Sequence, residues 1–159
     1  MELRGDEIAG VVDLFGALTR AELGRALVEL AFKRGVDIEP AAFDPEIFAA
    51  LESYRLVRLE PGALGDGTDE PLLAPGPAAF PSLPEGARDL QYILDVEERD
   101  VDRETTGEAA AERLRGEAQQ AIEDGDSETA AALIEVSYDV EAWASVDLAE
   151  TRARLDDLR

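Results

Sequence analysis

LTRAELGRALVELAFKRG, residues 18–35, is the stretch from which the fold is read. Thr19 and Glu22 have the Thr-x-x-Glu spacing of a capping box, in which each side chain satisfies a backbone amide at the start of a helix. Leu23, Leu27, Leu30 and Ala31 recur at three- and four-residue steps and make one apolar stripe. Lys33 and Arg34 stand where cations favour a helix C-terminus, and Gly35 supplies a left-handed exit. The spacing predicts one amphipathic helix over Arg20–Arg34, packed through its leucines.

Upstream, Asp6 is a good N-cap for a helix running to about Ala17, with Ile8, Val11, Val12 and Phe15 inward. Downstream, VDIEPAAF loses periodicity at Pro40 and reads as a loop. Asp44 and Pro45 then open a third helix in N-cap and N1 order, which would bury Ile47, Phe48 and Leu51. Tyr54–Glu60 favours a strand by its aromatic and β-branched content, PGALGDGTDE a loop, and PLLAPG the returning strand. Three helices followed by a β-hairpin is the winged-helix order.

From Pro75 the run PGPAAFPSLPEG reads as an extended linker, because its prolines forbid regular structure. Beyond it the pattern is helical: a short helix near Asp89–Val96, and a long one over Asp102–Asp124 with Ala111, Leu114, Ala118, Ala121 and Ile122 on one face. A third, capped at Asp126 or Ser127, would carry Ala130, Leu133, Ile134 and Tyr138. A last helix would be capped by Asp147 with Glu150, with Leu148, Leu155 and Leu158 apolar. The expected architecture is therefore mainly α with a small β-hairpin (α+β): a winged-helix-like domain at 1–80 and a helical domain at 81–159.

Charge sets the chemistry. The chain holds 37 acidic and 15 basic residues for a net −22, and Lys33 is its only lysine. High charge with low hydrophobicity would mean disorder, but helical periodicity persists here. The alternative is an acidic surface suited to a salt-rich cytoplasm, where at about 1 M salt the Debye length is roughly 3 Å and carboxylate repulsion is screened. We therefore expect a halophilic, cytoplasmic protein. No apolar run approaches the roughly 20 residues of a membrane span, and MELRGDEIAG lacks the basic start and apolar core of a signal peptide. With no Cys and no His, disulfides, thiolate catalysis, Cys/His zinc sites and the commonest general base are excluded.

DEIAGVVDLFGALTRAEL, the APGPAAFPSLPEG segment with LQYILDVE, and YDVEAWASVDL resemble a family of short, uncharacterised haloarchaeal proteins across nearly the whole length. That resemblance brings no catalytic motif. The loop Pro61–Glu70 is longer than the family pattern needs.

Nucleic-acid contact and protein association are the two functional readings to weigh. In a winged helix the third helix enters the major groove and cations meet phosphates. Here PEIFAALESY has acids and no Arg, Lys, Asn or Gln for base readout. The candidate phosphate contacts are Arg20, Arg25, Lys33, Arg34, Arg55 and Arg58. Residues 1–60 carry seven basic and twelve acidic side chains, net −5, against −17 for residues 61–159. Association is the favoured reading, through a protein partner or a homodimer, because bulky apolar residues are few for two lobes. Trp143 and Tyr138 are candidate partner contacts, although a lone tryptophan more often pins a terminal segment to its own core.

Other signals are weaker. Asp124, Asp126, Glu128 and Glu135 imitate a calcium loop, but Thr129 stands where the sharp turn needs Gly. GALGDG lacks the lysine of a phosphate-binding loop. PSLP, residues 81–84, has the P-x-x-P form of a peptide ligand but reads as plain linker. We expect no catalytic residue, metal or cofactor.

Overall fold

A computed structural model describes residues 2–65 and 67–158. In it the capping pair closes as the spacing predicts: Thr19 Oγ1 accepts the Glu22 N–H at 3.1 Å, and Glu22 Oε1 accepts the Thr19 N–H at 2.8 Å. Helix α2 (Arg20–Lys33) follows, burying Leu23, Leu27, Leu30 and Ala31, and Gly35 leaves it at φ 78°. α1 (Gly5–Phe15) precedes it, with Ile8, Val11, Val12 and Phe15 inward. A single 3₁₀ turn, Pro40–Phe43, leads into α3 (Asp44–Glu52).

The residues just before the cap do a second job. Leu18 and Thr19 form a two-residue strand, β1, which periodicity alone does not reveal. It pairs antiparallel with β3 (Leu72–Pro75), placing Leu18 opposite Leu73 and Thr19 opposite Leu72. β2 (Leu56–Leu59) pairs with the other edge of β3, Arg58 opposite Leu73, so the sheet order is β1-β3-β2. The protein is thus mainly helical with a small antiparallel sheet, an α+β fold. Asp66, within the expected loop, lies outside the described residues.

Two compact units divide the chain, Met1–Val101 and Asp102–Arg159. This moves the expected boundary about twenty residues later. The proline-rich run after β3 is no linker: it is a strap fastened to the first unit. Gly76 N–H donates to Arg55 O (2.8 Å), Ala78 N–H to Tyr54 O (3.0 Å), Phe80 N–H to Asp6 Oδ1 (3.1 Å) and Ser82 N–H to Asp6 O (3.0 Å). The prolines prevent a helix, but they leave these amides free to bond across the unit. A 3₁₀ turn, Ala87–Asp89, then leads to the one-turn helix α4 (Leu90–Ile93), and Leu90 joins the core.

The second unit is a helical hairpin with one further helix. Asp102 caps α5 (Arg103–Asp124), its Oδ1 accepting the Thr105 N–H at 2.7 Å. Gly125 turns the chain at φ 64°, and Asp126 caps α6 (Ser127–Trp143). Ala110, Ala111, Leu114, Ala118 and Ala121 of α5 are buried, as are Ala130, Leu133, Ile134 and Val140 of α6. α7 (Ala149–Asp156) packs on both, through Leu155. No described helix is long and apolar enough to cross a membrane.

Several local expectations shift. Phe48, assigned to the core, is 63% exposed, because α3 turns Ile47 and Ala50 inward and the next position outward. Tyr138, expected on the apolar face of its helix, likewise points outward. Asp44 is the first helical residue rather than the cap. Asp6 does not cap α1; Glu7 Oε1 takes the Arg4 N–H at 3.0 Å instead. Asp147 does not cap α7: Leu148 holds the cap position, and Asp147 Oδ1, one residue earlier, accepts the Ala149 N–H at 3.0 Å.

The strap crosses α1 at Gly10, where a Cβ would stand 2.1 Å from Ser82 O, whereas Gly116 on α5 faces open space. Gly10→Ala should lower the unfolding free energy by about 1–3 kcal/mol, as overpacking does. Gly116→Ala should raise it by up to about 1 kcal/mol through helix propensity. Urea denaturation of the two variants checks both signs.

Candidate interaction surface

The six cations expected to face phosphate do not form one free patch. Arg20 pairs with the Asp44 carboxylate and donates to Pro40 O at 3.1 Å. Lys33 Nζ donates to Gly86 O (3.0 Å) and Asp89 Oδ2 (3.1 Å). Arg34 Nη2 donates to Glu85 O at 2.8 Å, and Arg55 Nε to Asp6 Oδ1 at 3.2 Å. Four of the six therefore tie α2 and β2 to other parts of the first unit. Arg25 and Arg58 are exposed and carry no such tie among the described residues.

The structure does bring Arg20 and Arg58 to one place. They line a groove of about 290 Å³ with Ala21, Ile47, Leu51, Glu70, Pro71 and Leu73. α2 contributes its first turn, α3 its inward side, and β2 and β3 the sheet wall. Sequence reasoning missed this groove because its walls are distant in the chain. Only the β-hairpin register, Arg58 opposite Leu73, could have pointed to it.

The outward side of α3 presents Asp44, Pro45, Phe48, Ala49 and Glu52. It offers an aromatic ring between carboxylates, and no cation or amide. Glu46, on the same helix, lines a cleft of about 560 Å³ with Leu3, Arg4, Asp6, Ser53 and Arg55, where its Oε2 is buried without a hydrogen-bond partner.

At the head of α2 the capping carboxylate is held twice. Arg99 Nη1 donates to Glu22 Oε1 at 2.7 Å and to Ala17 O at 3.0 Å, while Arg99 N–H donates to Phe15 O at 2.7 Å. Burial acts to raise the Glu22 pKa. The bonds from Arg99 and Thr19, with the Arg99 charge, outweigh it and hold the carboxyl below the usual glutamate value.

The two aromatic candidates of the second unit are each met by an arginine. Arg103, at the start of α5, stands 5.8 Å from the centre of the half-buried Trp143 ring. Arg152 lies 4.2 Å over the ring of Tyr138, which is 58% exposed, and bonds Glu141 Oε1 at 2.6 Å and Ser137 Oγ at 3.1 Å. The Arg152 bond and the Leu148 N–H lower the Glu141 pKa. These contacts fasten α5 and α7 to α6. Among the described residues no three acidic side chains converge as a metal site would require, and Asp126 is engaged by Thr129.

Over residues 6–159 the chain belongs to a family of unknown function, DUF7109. No curated protein and no solved structure is similar to it at a significant level.

A carboxylate whose folded pKa is lowered contributes stability that is present above its unfolded pKa and lost as pH falls through the folded one. The Glu22–Arg99 contribution should therefore fade on acidification through and below the ordinary glutamate range. Arg99→Gln should remove that part of the pH dependence while leaving the behaviour near neutrality parallel. Unfolding free energies of both proteins between about pH 3 and about pH 7, from roughly one unit below the ordinary carboxylate range up to neutrality, check this, and superimposable slopes would refute it.

Proposed function

We propose that the protein is a non-catalytic regulatory or adaptor module that acts by protein association, as a homodimer or on a protein partner. The observation that carries this reading is the outward side of α3, where Phe48 stands between Asp44 and Glu52. A large exposed aromatic in a chain with few bulky apolar residues suits an interface anchor. The order helix–strand–helix–helix–strand–strand, with sheet order β1-β3-β2, supports a winged-helix-like reading of the first unit. The acidic surface fits a salt-rich cytoplasm, consistent with a haloarchaeal origin. Tyr138 is a further exposed aromatic, as are Phe32, Phe80 and Tyr92; Phe48 is singled out because it lies on α3 between two carboxylates.

A transcription regulator making weak DNA contacts is the second reading, favoured by Arg25 and Arg58, which remain available for phosphate. Against it, the other four cations are engaged within the unit, and α3 has no base-reading donor on its outward side.

Two measurements separate the readings. Sedimentation in molar salt should give a dimer, and Phe48→Ser should weaken it by about thirtyfold, the roughly 2 kcal/mol of a hot spot. A monomer at all concentrations would remove the homodimer. Titration of labelled duplex DNA across a salt series should show no binding. A steep loss of affinity with rising salt would instead establish phosphate contact and overturn the preference.

A further inference from the structure

Position 58 is the odd residue on the inner face of the sheet. Side chains alternate along a strand and directly paired residues share a face. Leu56 and Arg58 of β2 therefore stand on the same side as Leu73 of β3 and Leu18 of β1. The three leucines belong to the core of the first unit, whereas Arg58 is exposed. A leucine at 58 would simply extend that apolar face. The arginine instead sets a charge beside an apolar groove.

That charge is unspent. In a chain with 37 acidic side chains, the Arg58 guanidinium has no hydrogen bond or ion pair among the described residues. Glu70 lines the same groove yet forms no ion pair with it. Arg20, on the opposite wall, is balanced by Asp44. Between them the floor is Ala21, Ile47, Leu51, Pro71 and Leu73, all apolar.

We propose that this groove binds a small amphipathic carboxylate, its apolar body on Ile47, Leu51 and Leu73 and its carboxylate on Arg58. A guanidinium presents a planar fork of donors that matches a carboxylate. The volume of about 290 Å³ lies at the small end for ligand sites, which suits a free small molecule rather than a peptide segment. The net charge of −22 does not forbid an anion here. At about 0.15 M salt the Debye length is about 8 Å, so the groove's own charges dominate. This inference is independent of the association reading.

The test titrates the ¹⁵N-labelled full chain with sodium octanoate, and in parallel with 1-octanol and octylammonium chloride. Octanoate should shift the amides of Ala21, Leu51, Arg58 and Leu73 and bind more tightly than either analogue. Arg58→Gln should weaken octanoate by about fivefold, the upper range for an exposed charge pair, and leave 1-octanol unchanged. Arg58→Lys should recover part of the loss, and Glu70→Gln should tighten octanoate. Both positions lie outside the core, and far-UV circular dichroism verifies the fold of each variant. Shifts confined to other surfaces, equal binding of octylammonium, or an Arg58→Gln variant that binds octanoate as well as the parent would each overturn the proposal.

Discussion

The reciprocal bond between Thr19 and Glu22 is the contact on which the first unit depends. It closes the first turn of α2, and it does so at the residue where β1 ends. The same two-residue segment therefore carries a strand register and a helix cap, which fixes the direction of α2 against the sheet. Arg99 then grips the capping carboxylate together with the carbonyls of Phe15 and Ala17. The end of α1, the strand, the start of α2 and the segment before the second unit meet at one partly buried ion pair. Losing either partner there leaves an under-satisfied charge, which costs more than an exposed pair gains.

Asp6 plays a comparable part at the other end of α1. Its carboxylate accepts from Phe80 and Arg55, and its carbonyl accepts from Ser82. One residue thereby holds the strap and the corner before β2 against the first helix. Gly10 completes the arrangement by letting the Ser82 carbonyl approach where a side chain would block it. A proline-rich run costs less to order than a flexible one, because its φ angles are already restricted in the unfolded chain. The strap is thus an economical cover for the side of α1 that carries Asp6 and Gly10.

Electrostatics divides the surface by use rather than by sign. With acids outnumbering bases more than two to one, most cations are drawn into tying segments together. Lys33 and Arg34 hold the turn before α4, Arg55 holds Asp6, and in the second unit Arg152 holds α7 to α6 through Glu141 and Tyr138. A cation without such a tie, as at Arg58, is correspondingly informative. Phe48 on α3 is one of several exposed aromatics, with Phe32, Phe80, Tyr92 and Tyr138, and is set apart by the carboxylates of Asp44 and Glu52 on the same side of its helix.

The residues alone determined a good deal. The capping box, the Leu23–Leu27–Leu30 stripe, the Gly35 and Gly125 exits and the two strands of the hairpin are all local, set by bonds and faces within a few positions of one another. Tertiary structure decided the rest. β1 exists only because β3 lies beside it, since two residues have no periodicity to read. The run from Gly76 to Pro84 looks like a linker until its amides find Asp6 and Tyr54, about seventy-five and twenty-five positions away. Phe48 reads as core by hydrophobicity and is exposed by packing. The six cations read alike as candidate phosphate contacts, yet only their partners in space show which are already engaged. Local chemistry can specify where a helix begins and ends; which long-range partner satisfies a given charge or amide depends on a fold that no short window contains.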